Sequence, residues 1–283
     1  MIEQVLITGG SGAFGRAMVK YLCSLESIKR VCVYSRDEYK QSIMRAAIDD
    51  PRVRYFIGDV RDFERLKRAM EGIDLVVHAA ALKRIEVGVY DPMEVVKTNV
   101  VGSMNVINAS IDAKVKKVIA LSTDKAFEPV NLYGSTKLAM EKMMLAANNA
   151  RGQGGPRFAV TRYGNIAGST GSVIPVWKQA IAEGREVIVS DPNCTRFWMT
   201  QEEAVQLVWE VAEVMEGGEL AVPHLPAYLL GDLAEAMGVG MEDWVVKGLG
   251  TDEKRHESMG PDMCSEHAPR MTISQLREGI AKL

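Results

Sequence analysis

"QVLITGGSGAFGRAMVKYL" (residues 4–22) decides the fold. Apolar, β-type residues fill its first part. Glycines interrupt them, and a helical pattern then runs on to Leu25. Gly9, Gly12 and Gly15 therefore stand in a strand-to-helix turn. The first permits the tight turn, the second lets backbone approach a pyrophosphate, and the third lets the helix pack on the strand. A glycine-rich fragment alone says little, but this one directly follows the first strand of a βαβ pattern. Gly9, Gly12, Ala13, Phe14 and Gly15 are accordingly expected to hold a dinucleotide.

Outward from that turn the same rhythm repeats. "RVCVYS" (30–35), "RVRYFIG" (52–58), "DLVVHAA" (74–80), "KVIALS" (117–122) and "RFAVTRY" (157–163) are short apolar runs. Helical stretches over 37–48, 61–71, 91–113 and the segment bearing Tyr133 separate them. Strands alternating with helices, and apolar almost throughout, indicate a parallel sheet covered on both faces. The fold class is α/β, a Rossmann-type doubly wound parallel sheet. After Asn165 the rhythm changes to helices near 173–183 and 201–215, short strands such as "EVIVS" and "ELAVP", and Gly/Pro breaks. Residues 1–165 are expected to form the dinucleotide-binding domain with the catalytic residues, and 166–283 a smaller, substrate-binding lobe.

The strand ends carry the cofactor reading. Ser35 and Arg36 close the second strand where an acidic residue favouring NAD would stand, and Asp37 follows. A guanidinium suits a 2′-phosphate, so NADP is expected over NAD; the alternative is a solvated Arg36, with Asp37 selecting NAD. Asp59 and Val60 follow the third strand and flank the adenine. Ala79, Ala80 and Lys83 follow the fourth, along the pyrophosphate and nicotinamide ribose. His78, inside that strand, reads as a satisfied interior histidine.

In "STDKAFEPVNLYGSTK" (122–137), Tyr133 and Lys137 lie one helical turn apart, on one face. An ammonium beside a phenol favours the phenolate and lowers its pKa, so the tyrosine can take an alcohol proton as hydride leaves for nicotinamide. Thr123 ends the preceding strand, where it can bond the same substrate oxygen.

These motifs, TGxxGxxG followed by Thr and Tyr-x-x-x-Lys, resemble the extended short-chain dehydrogenase/reductase superfamily, whose members act mostly on nucleotide sugars. "LSTDKA" followed by "YGSTK" resembles, within it, the inverting UDP-N-acetylglucosamine 4,6-dehydratases of pseudaminic acid and polysaccharide synthesis. "VYSRDEYKQ" (33–41), "HAAALK" (78–83), "VKTNVVGSMNVI" (96–107), "RYGNIAGSTGSVIP" (162–175), "CTRFWMT" (194–200) and "DEKRHE" (252–257) fit the same group. The resemblance implies a UDP-sugar substrate and a homo-oligomer. It assigns Asp124 to proton donation at O6, Lys125 to proton transfer at C5 and Tyr133 to the C4 hydroxyl. It adds Asn99 to the cofactor set, and Lys83, Asn165, Arg196 and Glu253 to the substrate set, with Lys254 beside Glu253. A structural ion pair is the other reading of Asp124–Lys125, and a solvated loop that of Glu253–Lys254. Lys125 serves as a base only with a depressed pKa, which burial beside Lys137 would favour and nearby phosphates would oppose.

Composition agrees with an enzyme of this kind. Across 283 residues the chain is 47% apolar and 25% charged, with net charge −3 and basic residues spread along it, so neither nucleic acid nor an anionic membrane is expected as partner. Four cysteines in no C-x-x-C pattern point to a reducing compartment and to no metal site. No leader sequence is visible and no apolar run is long enough to span a bilayer, so a cytoplasmic location is expected.

Overall fold

The computed structural model describes residues 1–169 and 171–283; Thr170, within the quoted 162–175 segment, lies outside the described residues. Strands β1 (Gln4–Thr8), β2 (Arg30–Ser35), β3 (Val53–Ile57), β4 (Leu75–His78), β5 (Lys117–Leu121) and β6 (Arg157–Thr161) fall where the apolar runs place them. Between them lie helices α1 (Ala13–Ser24), α2 (Glu38–Ala47), α3 (Phe63–Ala69), α4 (Ile85–Tyr90), α5 (Pro92–Val96), α6 (Gly102–Asp112) and α7 (Leu132–Ala150). The second half adds α8 (Val173–Ala182), β7 (Val187–Val189), β8 (Thr195–Phe197), α9 (Gln201–Val214), β9 (Leu220–Ala221), β10 (Ala227–Leu229), α10 (Leu230–Ala236), β11 (Trp244–Val246) and α11 (Ile273–Ala281).

The main sheet has seven strands in the order β3-β2-β1-β4-β5-β6-β9, and every pair is parallel. Successive strand residues face opposite layers. Val5 and Ile7 of β1 join α1 and α9 in one core, while Leu6 joins α3, α6 and α7 in the other. Each such aliphatic side chain, fully buried, contributes about 1.5–3 kcal/mol. That double covering explains why the strands read as unbroken apolar runs.

Two expectations change. The 91–113 stretch is not one regular helix: a π-helical turn at Lys97–Val101 joins α5 to α6. Nor does residue 165 divide the chain cleanly. A third core around Trp177, Trp198, Tyr228 and Leu276 does form a smaller lobe. But α9 returns to the sheet and buries Val205, Val208 and Trp209 against the face that α1 covers. β9 then adds the seventh strand beside β6. The apolar stripe of α9 needed a partner larger than the lobe, and the sheet supplies it. Among the described residues no helix is long and apolar enough to cross a membrane.

Candidate active site

The carboxyl ends of the main-sheet strands open into a cleft of about 1720 Å³ shared with the lobe. At one end Gly9 turns with φ +67°, and a Cβ there would come within 2.9 Å of the Ala80 backbone. The loops after β1 and β4 therefore touch, a cradle that only glycine leaves open. Gly12 caps α1 with no side-chain bond, so the first N–H groups of that helix face the cleft uncapped. An uncapped helix start beside a backbone cradle suits a pyrophosphate, and the residues present fit a dinucleotide.

At the adenosine end, Arg36 lines the cleft with Ser35, Lys40, Asp59 and Val60. Asp37 lines it too, but its carboxylate caps α2 by accepting from Lys40 N at 2.9 Å and pairs with Lys40 Nζ at 3.1 Å. Those bonds hold it below the usual carboxylate range. Arg36 Nη1 stands 3.7 Å from Asp59 Oδ2 and is half exposed. His78 is the interior residue expected: its ring bonds Thr8 Oγ1 at 2.8 Å and Ser103 Oγ at 3.0 Å, and burial pushes its pKa down to about 3.

The reactive centre is built at the end of β5. Asp124 opens a 3₁₀ turn capped by Thr123, whose hydroxyl also donates to Asp124 Oδ1 at 3.0 Å. The start of α7 packs directly on that turn. A Cβ on Gly134 would lie 2.1 Å from the Lys125 carbonyl oxygen, so glycine alone lets Tyr133 come this close to Lys125. Asn131 caps α7 by accepting from Gly134 N, and its amide donates to Asp252 O of the lobe. Farther along α7, buried Glu141 accepts from Arg162 Nε at 2.8 Å and from Ser122 Oγ at 2.5 Å, while Arg162 also donates to Met259 O. Helix, β5, β6 and lobe are thus fastened behind the site.

Thr123, Lys125, Tyr133 and Lys137 all line the cleft, as do Lys83, Ala79, Ala80, Ala13, Phe14 and Gly15. Asn165, Arg196 and Glu253 line its lobe side. Asp124 stands just behind, fully buried. Lys125 Nζ meets Asp124 Oδ1 at 3.1 Å and Asn165 Oδ1 at 3.2 Å.

The electrostatics run against the expectation for Tyr133 and bear on the balance left open for Lys125. Tyr133 is not pre-ionised: burial pushes its pKa up to about 12, against which Lys125 and the Thr123 hydroxyl prevail only in part. Lys137 is instead the shifted cation, lowered by burial to about 8 with Glu141 opposing. Nor is Lys125 depressed. Burial does disfavour its charge, but the carboxylates of Asp124 and Glu257 outweigh it and hold the pKa above the lysine range.

Two placements also differ. Asn99 is buried behind the cleft, its carboxamide spent on Leu82 N and O and Thr136 Oγ1, so it fixes the loop after β4 instead of lining the cofactor site. The π turn aims it there. Lys254 donates to Phe127 O at 2.6 Å and clamps the lobe to the catalytic turn instead of lining the main cleft. Glu257, which sequence reasoning passed over, reaches Lys125 Nζ at 3.2 Å. Its only signal was its place in the "DEKRHE" segment.

Comparison with known proteins agrees with this geometry. The inverting UDP-N-acetylglucosamine 4,6-dehydratase of Campylobacter jejuni is 48% identical over 258 residues, 91% of this chain and 77% of the relative. A UDP-glucose 4-epimerase of Rickettsia akari is 41% identical over 264 residues, with the same shares covered. The X-ray structure of Pen from Bacillus thuringiensis superposes with a TM-score of 0.94 at 33% identity, covering 99% of this chain and 98% of that one. The dTDP-glucose 4,6-dehydratase DesIV of Streptomyces venezuelae, bound to NAD, shares the fold at 19% identity and a TM-score of 0.83, with 98% and 96% covered. The polysaccharide biosynthesis protein family matches residues 5–274, and the chain belongs to it.

Proposed function

We infer that this protein is a C5-inverting UDP-N-acetylglucosamine 4,6-dehydratase that uses NADP and acts in the cytoplasm. The observation that carries the reading is the contact of Asp124 with Lys125 at 3.1 Å, beside Thr123, Tyr133 and Lys137 at one cleft. Oxidation at C4 and its reversal need only Thr123, Tyr133 and Lys137. A 4-epimerase would give the Asp124–Lys125 pair no task, whereas loss of water needs one acid and one base.

When bound, the nicotinamide supplies a hydride acceptor for C4 and a donor for C6. Thr123 and Tyr133 hold the C4 hydroxyl; because burial keeps the phenol protonated, it takes the C4 proton as it hands its own to neutral Lys137, whose pKa burial lowers to about 8, and hydride departs with that transfer. The resulting ketone makes the C5 hydrogen acidic. Moving one proton across the Lys125–Asp124 contact leaves a neutral amine and a carboxylic acid; with the Lys125 pKa held up by its carboxylates this transfer is uphill, so the neutral amine forms transiently within the elimination instead of as a resting base. Lys125 then removes the C5 proton, and the freed electron pair forms the C5–C6 double bond as C6–O6 breaks. Asp124 protonates the departing hydroxyl, which leaves as water. The pair returns to ammonium and carboxylate, so charge balances over the step.

NADP is favoured by the same corner that positions Arg36. Asp37 is occupied by its helix cap and by Lys40, which leaves the Arg36 guanidinium to face a 2′-phosphate. Arg36→Ala is expected to abolish a preference for NADP over NAD in fluorescence titrations. Equal affinity for both cofactors in the unaltered protein would refute the assignment.

On the lobe side, Arg196 presents a guanidinium suited to a diphosphate, with Asn165, Lys83 and Glu253 completing the nucleotide-sugar set. The test of the whole reading is turnover of UDP-N-acetylglucosamine deuterated at C4, in heavy water, followed by NMR. Expected are loss of water, label at C6, solvent deuterium at C5 and inverted C5 configuration. Retained C5 configuration would make the protein a retaining dehydratase. Inversion at C4 without water loss would make it an epimerase.

A further inference from the structure

An ammonium has three N–H donors and no lone pair. Two of those of Lys125 meet acceptors, Asp124 Oδ1 at 3.1 Å and Asn165 Oδ1 at 3.2 Å, and Glu257 Oε1 forms an ion pair with the same Nζ at 3.2 Å. The third partner comes from the lobe. Glu257 is 3% exposed, and it is held in a network of its own. Its backbone N–H donates to Ser265 Oγ at 2.9 Å, Ser265 meets Thr195 Oγ1 at 2.6 Å, and Thr195 meets His256 Nδ1 at 2.8 Å. One cation thus sits between two buried carboxylates. Each keeps one buried oxygen, Asp124 Oδ2 and Glu257 Oε2, with no protein partner among the described residues. A simple structural ion pair needs neither the second carboxylate nor the spare oxygens.

We infer that Glu257 is a positioning residue for the elimination: from the lobe its carboxylate holds the Lys125 ammonium in an ion pair opposite Asp124, and so sets where the nitrogen stands and supplies the second negative charge beside it. The charged and titratable groups facing Lys125 are Asp124 on its own turn, Tyr133 from α7, Tyr228 from β10, and Glu257 and Arg196 from the lobe. Of these, Asp124 and Glu257 favour the ammonium and Arg196 opposes it. Since Lys125 follows β5 and Glu257 belongs to the lobe, the ammonium has its second anionic partner only with the lobe in place. The charge of the C5 base is thereby tied to the lobe. The inference rests on the reading of Lys125 as the C5 base.

Glu257→Gln keeps the size and hydrogen-bonding reach of the side chain and removes its charge. One fewer anion beside the ammonium lowers the Lys125 pKa; because the step needs the one proton the Lys125–Asp124 pair shares, the fall of the dehydration rate at high pH is expected to move down by about one pH unit or more. Dehydration should lose more than nicotinamide reduction does. Glu257→Asp, which restores the charge, should move the profile back up. A second arm needs no turnover: with ¹³C-labelled lysine in the substrate-free protein, the Lys125 signal, identified by its loss in Lys125→Met, should titrate at lower pH in Glu257→Gln. That arm holds or fails whether or not UDP-N-acetylglucosamine is the substrate. Coincident Lys125 titrations in the two proteins would overturn the inference, as would parallel loss of both half-reactions with an unmoved pH profile.

Discussion

Tyr133→Phe is expected to lower turnover by about 10²–10⁴-fold while leaving affinity for the nucleotide sugar in place. The ring stays, so packing against the catalytic turn through Gly134 is kept. What disappears is the one hydroxyl on α7 placed to exchange a proton with the C4 oxygen. With its pKa pushed up to about 12, the phenol passes its own proton on only as it takes the substrate's, and a phenylalanine ring can do neither. Calorimetric binding of UDP-N-acetylglucosamine together with product formation by mass spectrometry separates the two effects. A variant within about threefold of the unaltered enzyme would remove Tyr133 from the C4 step.

Asp124→Asn and Lys125→Met should each cut dehydration by about 10²–10⁴-fold yet still let nicotinamide be reduced when substrate is added. Oxidation at C4 relies on Thr123, Tyr133 and Lys137, none of which is replaced. The two variants should differ in stability. Asp124→Asn keeps the shape of the turn, whereas Lys125→Met leaves Asp124 and Glu257 buried near one another without their shared cation. Removing one partner of a buried ion pair costs about 3–5 kcal/mol, so Lys125→Met should also melt earlier. The readout is nicotinamide absorbance in a single turnover, beside water loss by mass spectrometry. Full dehydratase activity in both variants would reduce Asp124–Lys125 to a structural pair.

The parts of this molecule legible in its sequence are those governed by local rules. A strand buried on both faces has to be apolar throughout, which is why β1, β2 and β6 start where the apolar runs start. A glycine forced by a positive φ and a 2.9 Å approach, as at Gly9, announces its turn without help from distant residues. The charge states of Tyr133 and Lys125 were not legible, because each is a balance of burial against charges from separate elements. Lys137 stands at the right spacing to ionise Tyr133, yet Lys125 is the leading cation acting on it. Glu257 gave no local sign either. Its place depends on Thr195 and Ser265, which are 70 residues apart. The three-residue strands β8, β10 and β11 are too short to show a period of their own.

The chain passes between sheet and lobe three times: after Asn165, before α9, and after β9. Two bodies joined by a single tether can swivel freely, whereas three crossings of the chain restrict how the lobe can turn against the sheet. Glu257 and Arg196 both stand on the lobe side of those crossings, so any displacement of the lobe shifts them relative to Lys125 together. The same threading means that neither half is a contiguous stretch of chain. A cut at 165 would strip β6 of its outer neighbour and α1 of the helix packed beside it, so a fragment of residues 1–165 is expected to be less stable than the whole chain. The lobe is less an attached module than a loop drawn out of the sheet and returned to it.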